Sequence, residues 1–473
     1  MPLSPDVNSV RRSFWTYVAV LTTVLAAQML HPMIPILTYV ILTLWALRSV
    51  SHAVQAIVVA WIILLSNPAL FQTTSTALAL RWFVLFAATS RLLATRLFSF
   101  RHHAIPAYAP WLLAFIALIT AHALLNQPPL VVSTLKAATL LAGIIVALEG
   151  FAERPAAYWL RWFSAVALVL VLFSAPLLVS DTGYIVNGRG FQGLLNQPQA
   201  FGLVMALILS VSVSSIVFGK TTSLSTLLLA GASGVLLVAS EARTAVLALL
   251  FALPTTLLLA ARHIPSWRTT MVVTAFMTIG LLLLFYPALA DATRSFLLKW
   301  HSADVAQISV AEALVSSRAD KIALSWENFL RSPLLGIGLG VPSQPSAQGT
   351  QTSLLGLTSA AVEKGFLPTA VLEETGLLGT VLFLCFLATA LSCVFKARHP
   401  IAIFLCTTAL ALNCGEAVLL SVGGMGMFVW LALGYSRYLA LASRPAPVSA
   451  RKHSPPKGQQ PVKRQSAVKS RAD

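Results

Sequence analysis

A chain of 473 residues that is 57% hydrophobic, with mean hydropathy +0.82 and only 10% charged residues, is not a water-soluble globule, since soluble domains carry about 25% charged residues. Its apolar runs, about 17–22 residues long and without strict alternation, predict membrane helices and exclude a barrel of short alternating strands. The formal net charge of +17 does not imply nucleic acid, because much of it lies in a Pro-, Ser- and Gln-rich tail from Arg444 onward; such a tail predicts disorder, a topology signal and contact with anionic lipid headgroups.

The N-terminal segment 1–13 carries Arg11 and Arg12 ahead of the first apolar run, with no small-residue cleavage site. It is expected to be cytoplasmic, followed by an uncleaved first helix. Apolar segments then occur at about 14–30, 33–49, 53–70, 75–95, 107–125, 130–149, 158–179, 199–218, 223–239, 243–261 and 270–289, lengths suited to spanning helices. A polar stretch, 290–367, interrupts the series. Three more apolar runs at about 368–394, 399–419 and 423–441 precede the tail at 442–473, which gives about fourteen spans in all.

Alternate connections test the count, because cytoplasmic loops collect Lys and Arg. One set holds Arg48, then Arg91, Arg96 and Arg101, then Arg154, Lys220, Arg262 with Arg268, Lys396 with Arg398, and the tail. The other set is nearly free of Lys. The fold class expected is therefore an all-α polytopic membrane protein with both termini cytoplasmic. Its one long loop, containing short helices, is extracytoplasmic. Within the helices, Arg81 and Arg91 predict that the fourth span faces other helices or water. Lys136 is a further intramembrane charge, and Pro254 and Pro287 mark a kink and a helix end. Cys385, Cys393, Cys406 and Cys414 lack metal-ligand spacing and read as packed, inert thiols. No metal or other cofactor is expected.

Chemistry is sought where charge on the outer side has a cost. Arg189 in NGRGFQGLLNQPQAFG, Arg243 in SEARTAVLALL and Arg318 in SSRADKIALSWENFLRSPLLGIGLG violate the positive-inside pattern. Guanidinium groups converging there would suit a lipid-linked phosphate or pyrophosphate. The structural alternative pairs Arg243 with Glu241 or lipid headgroups, and Arg318 with Asp320. Glu373 and Glu374 in VLEETGLLG offer a general base toward a hydroxyl, or else merely cap a helix start. The glycines of LLGIGLG form a turn lined by backbone, or simply a tight loop; without a strand–helix context they are not a dinucleotide fingerprint.

The order GRGFQGLLNQPQAFG, SEARTAVLAL, SSRADKIALSWENFLRSPLLGIGLG and LEETGLLG around one long loop resembles the bacterial O-antigen ligase and polysaccharide polymerase superfamily, over roughly residues 180–390. That resemblance implies a metal-independent inner-membrane glycosyltransferase. It would pass a glycan from an undecaprenyl-pyrophosphate carrier to an acceptor glycan or lipid hydroxyl, with inversion, in lipopolysaccharide or exopolysaccharide biosynthesis. The pyrophosphate-binding arginines fall on Arg189 and Arg243, with Arg318 in the third motif. The family's histidine, about eleven residues before the ETGLLG glycine, is replaced here by Gly365–Phe366. The departure points toward a polymerase or exopolysaccharide-type member, with Glu363, Glu373, Glu374 or His301 as base. A transporter or flippase of lipid-linked oligosaccharide and a non-enzymatic scaffold are the competing classes. A flippase would place charges near the bilayer midplane.

Overall fold

The computed structural model describes residues 7–72, 74–98, 105–125, 130–186, 188–219, 223–260, 270, 310–344 and 364–443; of residues 7–12, 98, 130–131 and 310–318 only the backbone is described. The described part is all-helical, without a strand. Its α-helices in chain order are α1 Val7–Gln28, α2 Ile34–Arg48, α3 Val50–Leu64, α4 Ser75–Phe98, α5 Ala109–Leu125, α6 Leu130–Glu149 and α7 Ala156–Ser174. They continue with α8 Pro198–Phe218, α9 Leu224–Ala239, α10 Arg243–Ala260, α11 Val310–Arg331, α12 Leu367–Ala397, α13 Pro400–Ala411 and α14 Gly426–Ala442.

Six of the helices (α4, α6, α7, α8, α10 and α12) are long and apolar enough to cross a membrane, by length and composition. Six more apolar helices are shorter. The predicted span 270–289, apart from Thr270, and the loop parts 290–309 and 345–363 lie outside the described residues, as does the tail from 444 onward. Helix α11 occupies the middle of the predicted loop. Local chemistry sets several boundaries. Proline stands in the first turn of α2, α8, α12 and α13, where its missing N–H leaves no helical bond unmade. Ser49 and Ser223 accept the backbone N–H of His52 and Thr226 at the starts of α3 and α9, supplying partners to otherwise orphan donors.

Helix α3 is the interior post of the bundle, buried from Ala53 to Ile63, as a helix that is apolar on every side must be. It packs against α2 and α4, and α4 also meets α6. This fits the expectation that α4 faces other helices: Arg81 is buried, and its guanidinium lies over the Trp82 ring. Helix α14 packs against α6, α12 and α13, and α13 also meets α8 and α10. Pro254 lies within α10. Among the cysteines, none is in a disulfide; Cys406 is buried and Cys385 and Cys393 are half-buried, but Cys414 is exposed and so departs from the expectation of packed thiols.

Residues 412–425, between α13 and α14, form a 3-10 turn at Leu412–Cys414 and are otherwise irregular, yet mostly buried. Backbone groups withdrawn from water must find protein partners, and three side chains provide them. Asn413 Oδ1 accepts from the amides of Val418 and Leu419. The indoles of Trp430 and Trp61 donate to Leu419 O and Val422 O, each at 2.8 Å.

Candidate functional site

The site is organised by a break in α12. Gly376 has φ +62° and ψ −168°, a conformation essentially restricted to glycine. The break uncouples four backbone groups that a continuous helix would pair with one another: the carbonyls of Glu373 and Glu374 and the amides of Leu377 and Leu378. The glycine-rich turn after α11 satisfies all four. Ile337 N and Gly338 N donate to Glu373 O (2.8 Å) and Glu374 O (3.1 Å), while Leu377 N and Leu378 N donate to Pro333 O (2.8 Å) and Leu334 O (3.2 Å). A Cβ on Gly336 would lie 2.6 Å from the backbone of Glu373, Glu374 and Thr375. LLGIGLG and LEETGLLG are thus two halves of one joint.

Glu373 and Glu374 sit seven and eight residues into α12, whose N-cap is Phe366. They flank the break and do not cap the helix start, so that alternative is set aside: the helix begins two turns earlier, at Leu367. Glu373 is fully buried. It accepts Ser325 Oγ at 2.8 Å and Asn328 Nδ2 at 2.7 Å from α11, and Lys364 Nζ lies 3.2 Å away. Both of its oxygens are therefore occupied. Glu374 shares Lys364 with it and, unlike Glu373, lines a cavity. Lys364 Nζ stands 3.3 Å from one oxygen, and Lys136 Nζ of α6 stands 3.5 Å from the other. The backbone N–H of Gly340 also bonds the Glu374 carboxylate. Gly340 leaves room for the lysine stem, since a Cβ there would lie 2.9 Å from Lys136 Cδ. Ser133, one turn earlier on α6, donates to Leu339 O at 2.8 Å.

Lys136, Lys364 and Glu374 line a cavity of about 110 Å³ together with Asn196 and Gln197, which lead into α8, and with Ser421 of the irregular segment. Lys364 Nζ lies 3.2 and 3.3 Å from the two carboxylates, and Asn196 Oδ1, a buried acceptor on the cavity wall, makes no hydrogen bond among the described residues. An ammonium carries three donors, and a buried ion left short of partners is costly. The two buried ammonium groups are matched by the two carboxylates, and the cavity presents one of these, Glu374, beside both lysines.

The first and second sequence motifs touch. Phe191 N donates to Ala239 O at 3.0 Å, and a Cβ on Gly190 would approach Ser240 O to 3.1 Å. Gly202 of α8 lies against Ala242. This sets the backbones beside exposed Arg189 and half-buried Arg243 next to each other. Thr244 in turn packs on Gly415, just before cavity-lining Ala417. Arg318 lies on α11, and only its backbone is described. Glu363 and His301 fall outside the described residues. Sequence reading named Glu373 and Glu374 but gave no site role to Lys136, Lys364, Ser325, Asn328 or Asn196. Lys136 carried a signal, an unexplained charge in an apolar helix. Ser325 and Asn328 sit three apart on one helical face, a weak signal without their partner. Among the described residues, no group of His, Cys, Asp and Glu could hold a metal ion.

Fold and site together define a multi-pass membrane protein with a charged cavity between its helices and the irregular segment before α14. Residues 226–384, running from α9 to the middle of α12, match the model of a family described as O-antigen ligase. The match takes in the second, third and fourth motifs and leaves Arg189 and Lys136 outside it. It supports an O-antigen ligase-like membrane protein of ligase or polymerase type. No curated protein matches the chain.

Proposed function

We propose that the chain is a glycosyltransferase of the inner membrane that moves a glycan from an undecaprenyl-pyrophosphate carrier to an acceptor hydroxyl. The observation that carries this reading is the pairing of Glu374 with Lys136 and Lys364 in one cavity, at the joint between two motifs of the matched stretch. The acceptor oxygen attacks the anomeric carbon, and the bond from that carbon to the carrier oxygen breaks. Glu374 takes the hydroxyl proton, and the configuration inverts. Glu373, fully buried and absent from the cavity lining that Glu374 joins, is a positioning residue. The departing pyrophosphate gains charge, and fixed cations lower the barrier where charge develops. Lys364 and Lys136 serve this within the cavity, with Arg189 and Arg243 at its approach and Arg318 on α11 as a further candidate. Glu363 and His301 remain the alternative bases.

The topology proposed with it has about fourteen spans, cytoplasmic termini and the α11 segment on the outer side. The Gly365–Phe366 departure favours a polymerase or exopolysaccharide-type enzyme. One observation favours a second reading, movement of lipid-linked oligosaccharide: Arg81 is a buried intramembrane cation in α4, as transport paths often contain.

Deletion in the host, complemented by wild type or by Arg243→Ala, tests the proposal. Surface and secreted polysaccharide are read by gel and mass spectrometry. The expected result is loss of long polymer, with lipid-linked repeat units accumulating and the Arg243→Ala protein inserted at normal level. Repeat units trapped on the cytoplasmic side would point to transport. Full polymer output from Arg243→Ala would remove that arginine from the site.

A further inference from the structure

The ion pairs account for Lys136, Lys364 and Glu374, but the same cavity carries polar side chains that take no part in them: Asn196, Gln197 and Ser421. Gln197 is the N-cap of α8 and makes no side-chain cap bond, so its amide is not committed to the helix start. Asn196 goes further. Its Oδ1 is buried and accepts no hydrogen bond among the described residues, a state that is costly until a donor arrives.

The backbone around Asn196 is clamped to the end of α3. Asn196 N donates to Leu65 O at 2.7 Å, and Asn67 N donates to Leu194 O at 2.8 Å. Ser66 and Leu195 form an antiparallel bridge between these two bonds. Asn67 Nδ2 adds bonds to Thr182 O at 2.8 Å and Gly193 O at 3.0 Å. Two residues after Asn196, Pro198 opens α8, and proline presets the helical backbone there. Leu65 itself lines the cavity, so the clamp and the cavity wall are one structure. A polar group fixed in this way gives up little freedom when a guest binds.

The acceptors define the guest. An amide oxygen and an ionised carboxylate both receive hydrogen bonds, so a molecule that meets Asn196 and Glu374 together must bring at least two donors. A sphere of the cavity's volume, about 110 Å³, is about 6 Å across, a space in which one edge of a sugar ring can face both groups. Leu65, Val418, Leu420 and Met425 complete the lining with apolar surface, which suits the C–H face of such a ring.

We propose that Asn196 is the specificity-determining residue of the site. Its Oδ1 accepts a hydrogen bond from the acceptor sugar, from a hydroxyl or acetamido N–H next to the hydroxyl that Glu374 deprotonates. This rests on the glycosyltransferase reading and extends it to how the acceptor is chosen. A sugar that lacks the donor leaves Oδ1 buried and unpaired, and a site built around a hydrogen bond rejects such an analogue far more strongly than an apolar pocket rejects a missing methylene. Asn196 touches no reacting atom, so its effect is on the choice between acceptors.

The test uses the full chain in liposomes, with the host's polyprenyl-diphosphate repeat unit as donor. The acceptors are the host's repeat oligosaccharide and analogues in which each hydroxyl of its terminal sugar is replaced in turn by hydrogen, or an acetamido group by acetoxy. For each, kcat/KM is measured with wild type, Asn196→Leu and Asn196→Asp. Wild type is expected to lose at least tenfold on one analogue that keeps the attacking hydroxyl; a deoxy analogue would identify a hydroxyl as the donor, the acetoxy analogue an N–H. Asn196→Leu should use that analogue and the parent equally well, whereas Asn196→Asp, which keeps an acceptor oxygen, should still discriminate. Asn196→Ala covers the case in which leucine is not tolerated by the fold. Unchanged discrimination by Asn196→Leu, whatever its overall rate, would overturn the inference and leave the role of Glu374 standing. Equal use of all the analogues by wild type would do the same. Absence of transfer to the parent acceptor by wild type would overturn both.

Discussion

Replacing Gly376 by alanine tests the joint on which the site is built. A Cβ there would lie 2.4 Å from Leu334 C and O and 2.5 Å from Leu335 N. These are backbone atoms and cannot rotate aside. A non-glycine residue in this conformation costs on the order of 1–3 kcal/mol, and overpacking adds about 1–3 kcal/mol. The expected loss is therefore about 2–6 kcal/mol, unless the turn undocks. Undocking would expose the four backbone bonds between residues 333–338 and α12, each worth about 1 kcal/mol net, and would draw Ser325 and Asn328 away from Glu373. Either way the protein is weakened and the carboxylates lose their alignment. The assay is the apparent melting temperature of detergent-purified protein, read by tryptophan fluorescence, together with polymer output in cells. Gly231→Ala is the control: this exposed α9 glycine has nothing within 4 Å of its missing Cβ, and alanine there should stabilise the helix by up to about 1 kcal/mol. A Gly376→Ala protein that melts with wild type and makes full-length polymer would refute the joint.

Lys136→Met and Glu374→Gln should each destabilise the protein, because each leaves a partner charge buried, and the double variant should lose less than the sum by about 0.5–3 kcal/mol; strict additivity in a thermal-melt cycle would count against the pair. Trp430→Phe removes the donor to Leu419 O and should cost about 1–3 kcal/mol, with increased protease cutting within residues 412–425. Arg398 ends α12 in the left-handed region, at φ +53°, where glycine is favoured. Arg398→Gly should therefore raise the melting temperature without changing polymer output, and a drop would show that the side chain is needed there.

The helical architecture was legible because apolar length and charge alternation act locally along the chain. Glu373, Glu374 and the glycine turn stood out, since carboxylates and clustered glycines are conspicuous in an apolar sequence, and the structure brings them together. What could not be read was that the turn and the helix break complete each other's hydrogen bonds, because Ile337 and Glu373 meet only in three dimensions. The alternative of a helix cap for the glutamates falls because the helix begins at Leu367, two turns before them, and the break at Gly376 was hidden because a glycine inside an apolar run does not announce one until its partner turn is seen. Lys364 went unweighted because it adjoins the position where a histidine was sought. Lys136 was noted as an intramembrane charge, but nothing local pointed to Glu374 across the bundle. The irregular backbone of 412–425 was likewise hidden in the sequence, since its partners Trp61 and Trp430 come from two other helices.

The most direct test of the central claim is glycan transfer by the purified protein in liposomes, from a polyprenyl-diphosphate oligosaccharide to an acceptor glycan, with wild type and Glu374→Gln compared at equal reconstitution. The account predicts release of free polyprenyl diphosphate together with an elongated, inverted product for wild type. For Glu374→Gln it predicts a loss of at least a hundredfold, in line with removal of a general base. Transfer by Glu374→Gln at the wild-type rate would contradict it.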